Sequence, residues 1–164
     1  MSNSTKHFGK EFEAKLRQAG GYIFDDDEDE TWHIQPCSDE EISEIEQANQ
    51  VKLPRIYKEF LSTMGGNPGD FFRSELYGYP ELLRLMQSAT EILEDSGTTF
   101  RLAPSHFVIW MHGGYMFCYF DTASGADDPP VYFFREKYKE PIKLSDTYSD
   151  WMEKQLQDSI KVRG

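Results

Sequence analysis

Apolar positions recur every three to four residues in the first half of the chain, then every second residue, which predicts helices followed by strands. Phe8, Phe12 and Leu16 give one face of a short amphipathic helix that Gly20-Gly21 closes. Tyr22-Ile23-Phe24 reads as a brief strand. Ser38 stands three residues before Glu41, a capping box that opens a helix on Ile42 and Ile45 and fades at Ala48-Asn49. Leu53-Pro54 restarts the chain, because proline disfavours helix at the preceding residue and suits the first turn of the next one. Ile56, Tyr57, Phe60, Leu61 and Met64 form the buried stripe of that next helix, and Gly65-Gly66 stops it. After Pro80 a third helix carries Leu82, Leu83, Leu85, Met86, Ala89, Ile92 and Leu93, apolar around much of its circumference.

From residue 106 the period changes. Runs 106–111 and 115–121 flank His112-Gly113-Gly114-Tyr115, where two glycines supply the positive φ of a two-residue hairpin turn. That turn sets Phe107 opposite Phe120, Ile109 opposite Cys118 and Met111 opposite Met116, an apolar face directed at the helices. The other face carries His106, Val108, Trp110, His112, Tyr115, Phe117, Tyr119 and Asp121, with His106 opposite Asp121. A second layer of helix or loop over this face is expected ahead of an open interface, and a one-residue slip exchanges the two faces. Residues 131–134 add a strand, and Trp151, Gln155, Leu156 and Ile160 lie in a closing helix after Ser149. The pattern is α+β: a mainly antiparallel sheet with a central hairpin, packed with four to five helices in a single domain spanning 1–164.

Taken together, Ile42-Ser43-Glu44-Ile45-Glu46, Leu53-Pro54, Tyr57-Lys58-Glu59-Phe60-Leu61 and Gly65-Gly66 resemble the signature of the SUKH superfamily. Phe107-Val108-Ile109-Trp110, the glycine turn and Tyr119-Phe120-Asp121 resemble its central hairpin. The likeness covers about 38–160; residues 1–37, an N-terminal helix and an acidic loop, are less typical. The resemblance implies an antiparallel sheet packed with helices and a role in protein binding. Members include fungal cell-wall synthesis regulators and many bacterial immunity proteins, which protect against toxins, many of them nucleases.

Charge narrows the partner. Seventeen basic residues stand against 29 acidic ones, a net of −12, which argues against direct nucleic-acid binding or an anionic membrane surface. A basic partner suits it, and so does plain solubility. Two distant cysteines, Cys37 and Cys118, make neither a disulfide framework nor a zinc site and point to a reducing cytoplasm. No signal-peptide stretch opens the chain and no apolar run approaches the roughly 20 residues of a membrane span. The four histidines fall in no HxxxH or HExxH arrangement, and no nucleophile elbow or phosphate loop is present, so neither catalysis nor a cofactor is expected. Asp25, Asp27 and Asp29 match the first positions of a calcium loop, but Glu30 replaces its glycine and Pro36 its final glutamate, so no metal is expected.

The candidate partner-binding residues are therefore the acids Asp25, Asp26, Asp27, Glu28, Asp29 and Glu30, with Trp32 beside them as an aromatic anchor, and Tyr115, Tyr119 and Asp121 on the hairpin. The expectation is an immunity protein that neutralises a cognate toxin, a basic nuclease domain being the partner that the charge best suits. The other reading is an intracellular scaffold or regulatory adaptor with no toxin partner.

Overall fold

The computed structural model describes residues 7–19, 34–68, 71 and 75–163. Among them are five α-helices and a four-stranded antiparallel sheet, an α+β fold. The expected strand at Tyr22-Ile23-Phe24 lies outside the described residues.

Helix α1 (Phe8–Gln18) buries Phe12 and Leu16 and crosses α3 (Arg55–Met64) closely at Gly9. A Cβ there would stand 2.3 Å from the carbonyl oxygen of Glu59, so glycine is what lets the two backbones meet. Helix α2 (Asp39–Asn49) has the expected capping box in both directions: Glu41 N–H donates to Ser38 Oγ at 3.1 Å, and Ser38 N–H donates to Glu41 Oε1 at 2.8 Å. Its Glu46 carboxylate accepts from the amide of Leu53 at 2.7 Å, which ties the end of α2 to the start of α3. Pro54 caps α3, whose Tyr57, Phe60, Leu61 and Met64 all point into the core.

The helix expected after Pro80 is divided. Glu81–Leu83 form a 3₁₀ turn, Arg84 leaves helical geometry at φ −126° and ψ −5°, and α4 (Leu85–Ser96) follows. The break lets Leu82 and Leu85 both reach the interior. Two-residue strands β1 (Ile34–Gln35) and β2 (Asn67–Pro68) pair antiparallel and tie the residues just ahead of α2 to those just after α3.

The main sheet runs β3 (His106–His112), β4 (Met116–Asp121), β5 (Val131–Arg135) and β6 (Ile142–Ser145) in that spatial order. Phe107 pairs with Phe120 and His106 with Asp121, as expected. Nearer the turn the expected register is wrong: Trp110 pairs with Cys118, Met111 with Phe117 and His112 with Met116. Tyr115 joins the glycines in a three-residue loop, and a bulge between Val108 and Trp110 absorbs the extra residue. Beyond the bulge the faces exchange, so Trp110 and His112 share the side of Phe120 while Met111 shares that of Phe117.

Tyr57 anchors the helical side of the sheet. Its ring meets Phe107, Phe120 and Tyr148 edge-on, with centroids 5.7, 5.2 and 5.3 Å away. Each such pair adds about 0.5–1.5 kcal/mol beyond the area it buries. The other face is covered too, since Phe100 from the segment after α4 lies flat against His106 and Tyr119. Helix α5 (Tyr148–Arg163) closes the domain; Asp128 accepts from the amide and the hydroxyl of Ser149 in its first turn, at 2.9 and 2.5 Å.

Candidate partner-binding surface

Asp25, Asp26, Asp27, Glu28, Asp29, Glu30 and Trp32 lie outside the described residues. The three hairpin candidates are described, and they divide into two groups. Tyr119 and Asp121 sit at the end of β4 remote from the turn, whereas Tyr115 sits in the turn itself. At ~3.3 Å of strand rise per residue, Tyr115 and Asp121 are roughly 20 Å apart.

Tyr119 is 4% exposed, between Phe100, His106 and a stacked Tyr132 whose centroid is 5.4 Å away. Burial pushes its phenol well above the usual range. His106 Nε2 lies 3.6 Å from Asp121 Oδ2, and burial lowers the His106 pKa even though that carboxylate opposes the shift. Burial works against ionised Asp121, but the amide of Ala123, the Ser105 hydroxyl and His106 together hold its carboxyl below the ordinary value. Tyr119 and His106 are thus enclosed and partnered at this end of the hairpin, with the Asp121 carboxylate half-exposed at its rim.

The turn end is different. Tyr115 is half-buried, and its ring folds back over Gly113: a Cβ at Gly113 would stand 2.4 Å from Tyr115 Cε1. Gly113 and Gly114 take φ of +63° and +73°. The Tyr115 ring stands edge-on to His112, which stacks on Trp110 at 6.2 Å and contacts Glu75 through Nδ1. Leu76, 45% exposed, bridges the β3 edge through paired backbone bonds with Met111.

Helix α2 presents the described acidic surface. Glu41 and Glu46 are spent on capping Ser38 and Leu53, while Asp39, Glu40 and Glu44 face solvent. Glu44 accepts from the Tyr79 hydroxyl at 2.9 Å. The neighbouring cations on α3 are already matched: Arg55 with Glu59 at 2.7 Å, and Lys58 with Glu46 at 4.0 Å. These pairs line an open groove of about 370 Å³ between α2 and α3, with Asp39 and Ser43 on the facing wall. Among the described residues, no three His, Cys, Asp or Glu side chains converge to hold a metal.

The model of the SMI1/KNR4 family (SUKH-1) matches residues 36–154, from just before α2 into α5. The chain belongs to that family. The match extends over nearly all of the stretch in which the SUKH resemblance was read. A search of curated proteins found no match. As a SUKH-1 domain, the chain carries α2 inside the family region and the six acids at 25–30 just ahead of it.

One signal joining these two elements is visible in the sequence but was not among the expectations. From Gln18 to Val51 there is no lysine or arginine, and there are eleven acids: the six at 25–30, then Asp39, Glu40, Glu41, Glu44 and Glu46. Subtracting them from 29 leaves 18 acids against 17 bases in the rest of the SUKH-1 chain. The net charge therefore belongs almost wholly to one segment. No described helix is long and apolar enough to cross a membrane.

Proposed function

We propose that the protein is an immunity protein that binds a cognate bacterial toxin and neutralises it by non-catalytic contact. The observation that carries this reading is the concentration of charge: eleven acids and no base between Gln18 and Val51, with Asp39, Glu40 and Glu44 exposed on α2. A toxin that cuts nucleic acid must hold phosphates in a basic cleft, and an acidic segment is steered to such a cleft and competes with the substrate there. Membership of SUKH-1 supports a protein partner, because toxin immunity is one of the roles with which the family is compatible.

On this reading the acids at 25–30 and those of α2 supply the field, and Trp32 and Tyr115 supply aromatic anchors. Tyr119 acts behind the surface, holding the remote end of the hairpin, while Asp121, its side chain 44% exposed, adds a carboxylate at the rim. The work is done in the cytoplasm, without cofactor or metal. Toxin activity measured while purified protein is titrated in tests the proposal. Loss of activity that reaches completion near one equivalent is expected, and full activity at large molar excess would sink it. A regulator of cell-wall synthesis with no toxin partner is equally at home in this family; a toxin-domain gene immediately upstream separates the two readings.

A further inference from the structure

The two edges of the main sheet differ. β3 is covered in part, because Leu76 and Met111 exchange backbone hydrogen bonds of 2.9 Å in both directions. β6 is open: beyond its pairing with β5, residues 142–145 make no backbone hydrogen bond to another backbone group among the described residues. The large apolar side chains exposed among the described residues are Leu76, Ile142 and Leu144, and two of these three lie on this open strand. The β5–β6 register passes over Leu144, so it has no cross-strand neighbour within its own sheet. Charge also runs along the strand. Lys137, Lys139 and Lys143 stand before Leu144, against Glu136 and Glu140, whereas Asp146 and Asp150 follow with no base before Lys154. An antiparallel copy of the same strand reverses that order, so the basic end of each meets the acidic end of the other.

We propose that β6 is a self-association edge, on which two copies of the chain pair antiparallel about a two-fold axis and join their four-stranded sheets. Such an axis sets one residue against itself. Centred on Leu144, it buries the two exposed leucines against each other, places Lys143 opposite Ser145, and leaves each Lys143 one rung from the Asp146 of the other copy. A centre on Lys143 would oppose like charges instead. Lys143 already reaches its own Asp146, three residues on, at 2.7 Å, and both side chains are open, at 49% and 82% exposed. A short edge strand carrying a lysine and a bulge ordinarily resists pairing. Here the copy supplies the carboxylate that the lysine requires. Four residues and a net charge of −12 on each chain keep the association weak, and salt near about 0.15 M screens the long-range repulsion. The pairing uses no residue of the acidic segment and holds whatever the partner of that segment is.

The test is sedimentation equilibrium of the full chain at concentrations up to about 1 mM, with amide hydrogen exchange read across the same range. The weight-average mass is expected to rise towards that of a dimer, while amides of 142–145 gain protection with concentration. Leu144→Lys, which sets two charges against each other at the centre, is expected to abolish the rise with the unfolding midpoint unchanged, since the side chain is exposed. Lys143→Glu is expected to weaken association about fivefold or more, and Lys143→Glu combined with Asp146→Lys to restore it to within about twofold. A monomer throughout, a dimer indifferent to Leu144→Lys, or no restoration by the double reversal would overturn the proposal. Protection of 142–145 that appears only when a different protein is added would overturn it too, and would assign the edge to that protein.

Discussion

The amide of Ala103 donates to Nδ1 of His106 at 3.0 Å, which makes that nitrogen an acceptor and puts the ring proton on Nε2, towards Asp121. Protonating the ring would set a second hydrogen against the Ala103 N–H. Burial and this bond both favour the neutral form, so the folded His106 pKa lies below its ordinary value of 6.5. The unfolded chain then binds the proton more readily than the folded one. This contribution to stability is full above pH 6.5 and is lost as pH falls from there through the folded pKa. Urea midpoints measured between neutral and mildly acidic pH are expected to fall with pH, and His106→Asn is expected to flatten the decline. An equally steep decline in the variant would assign the effect to other groups.

Two buried tyrosines give opposite expectations. Tyr77 donates its hydroxyl to the Met64 carbonyl at 2.6 Å, whereas the Tyr57 hydroxyl is fully buried with no hydrogen-bond partner among the described residues. Removing a bonded hydroxyl strands its acceptor and costs about 1–2 kcal/mol, while removing an unpaired one is neutral or stabilising. Chemical denaturation of Tyr77→Phe and Tyr57→Phe is expected to show that difference in sign. A Tyr57→Phe variant destabilised as much as Tyr77→Phe would contradict it.

Close approach at Gly9 sets a third expectation. A methyl group there meets the Glu59 carbonyl oxygen and Thr63 Oγ1, both at 2.3 Å, and the first of these is backbone that cannot turn aside. Gly9→Ala is expected to cost about 1–3 kcal/mol by forcing α1 off α3, although alanine is the better helix former. Thermal unfolding reads the sign directly, and an unchanged or raised midpoint would refute the contact.

The thiols are expected to be inert. Burial pushes Cys37 up to about 12, the Glu41 carboxylate adds to the shift, and a backbone hydrogen bond from Tyr79 opposes it. Cys118 is raised further, again chiefly by burial. Only the thiolate attacks a disulfide reagent. Neither cysteine is expected to be titrated by a chromogenic disulfide reagent in the folded protein, and both after denaturation; rapid native labelling of either would contradict this burial.

What was legible in the sequence was local. Ser38 with Glu41, Pro54 at the start of α3, and the stripe of Tyr57, Phe60, Leu61 and Met64 all encode their geometry within one or two helical turns. What was missed depends on distant partners or leaves no period. β6 alternates apolar and polar residues, Ile142-Lys143-Leu144-Ser145, but over four residues only, too short a run to stand out, and the fold leaves Ile142 and Leu144 exposed rather than buried. The bulge beside Ile109 lies in an almost continuously apolar run, where no residue type signals an extra position. The enclosure of Tyr119 depends on Phe100, nineteen residues earlier, and its polar tip gave no hint of that cover. Within the candidate site, the acidic run at 25–30 is plain in the sequence, whereas the pattern of α2 encodes a helix and only the fold shows Asp39, Glu40 and Glu44 facing solvent.

The proposed electrostatic steering by the acidic segment is tested most directly by stopped-flow association with the proposed toxin partner, at increasing ionic strength, for the natural chain and for Glu40→Gln combined with Glu44→Gln. Both glutamates are exposed, and their amides preserve the size of the side chains. The association rate of the natural chain is expected to fall steeply with salt. The double variant is expected to associate about threefold or more slowly at low salt, with a shallower slope and little change in dissociation. Identical rates and slopes for the two proteins, or a rate indifferent to salt, would contradict the claim that this surface finds its partner by charge.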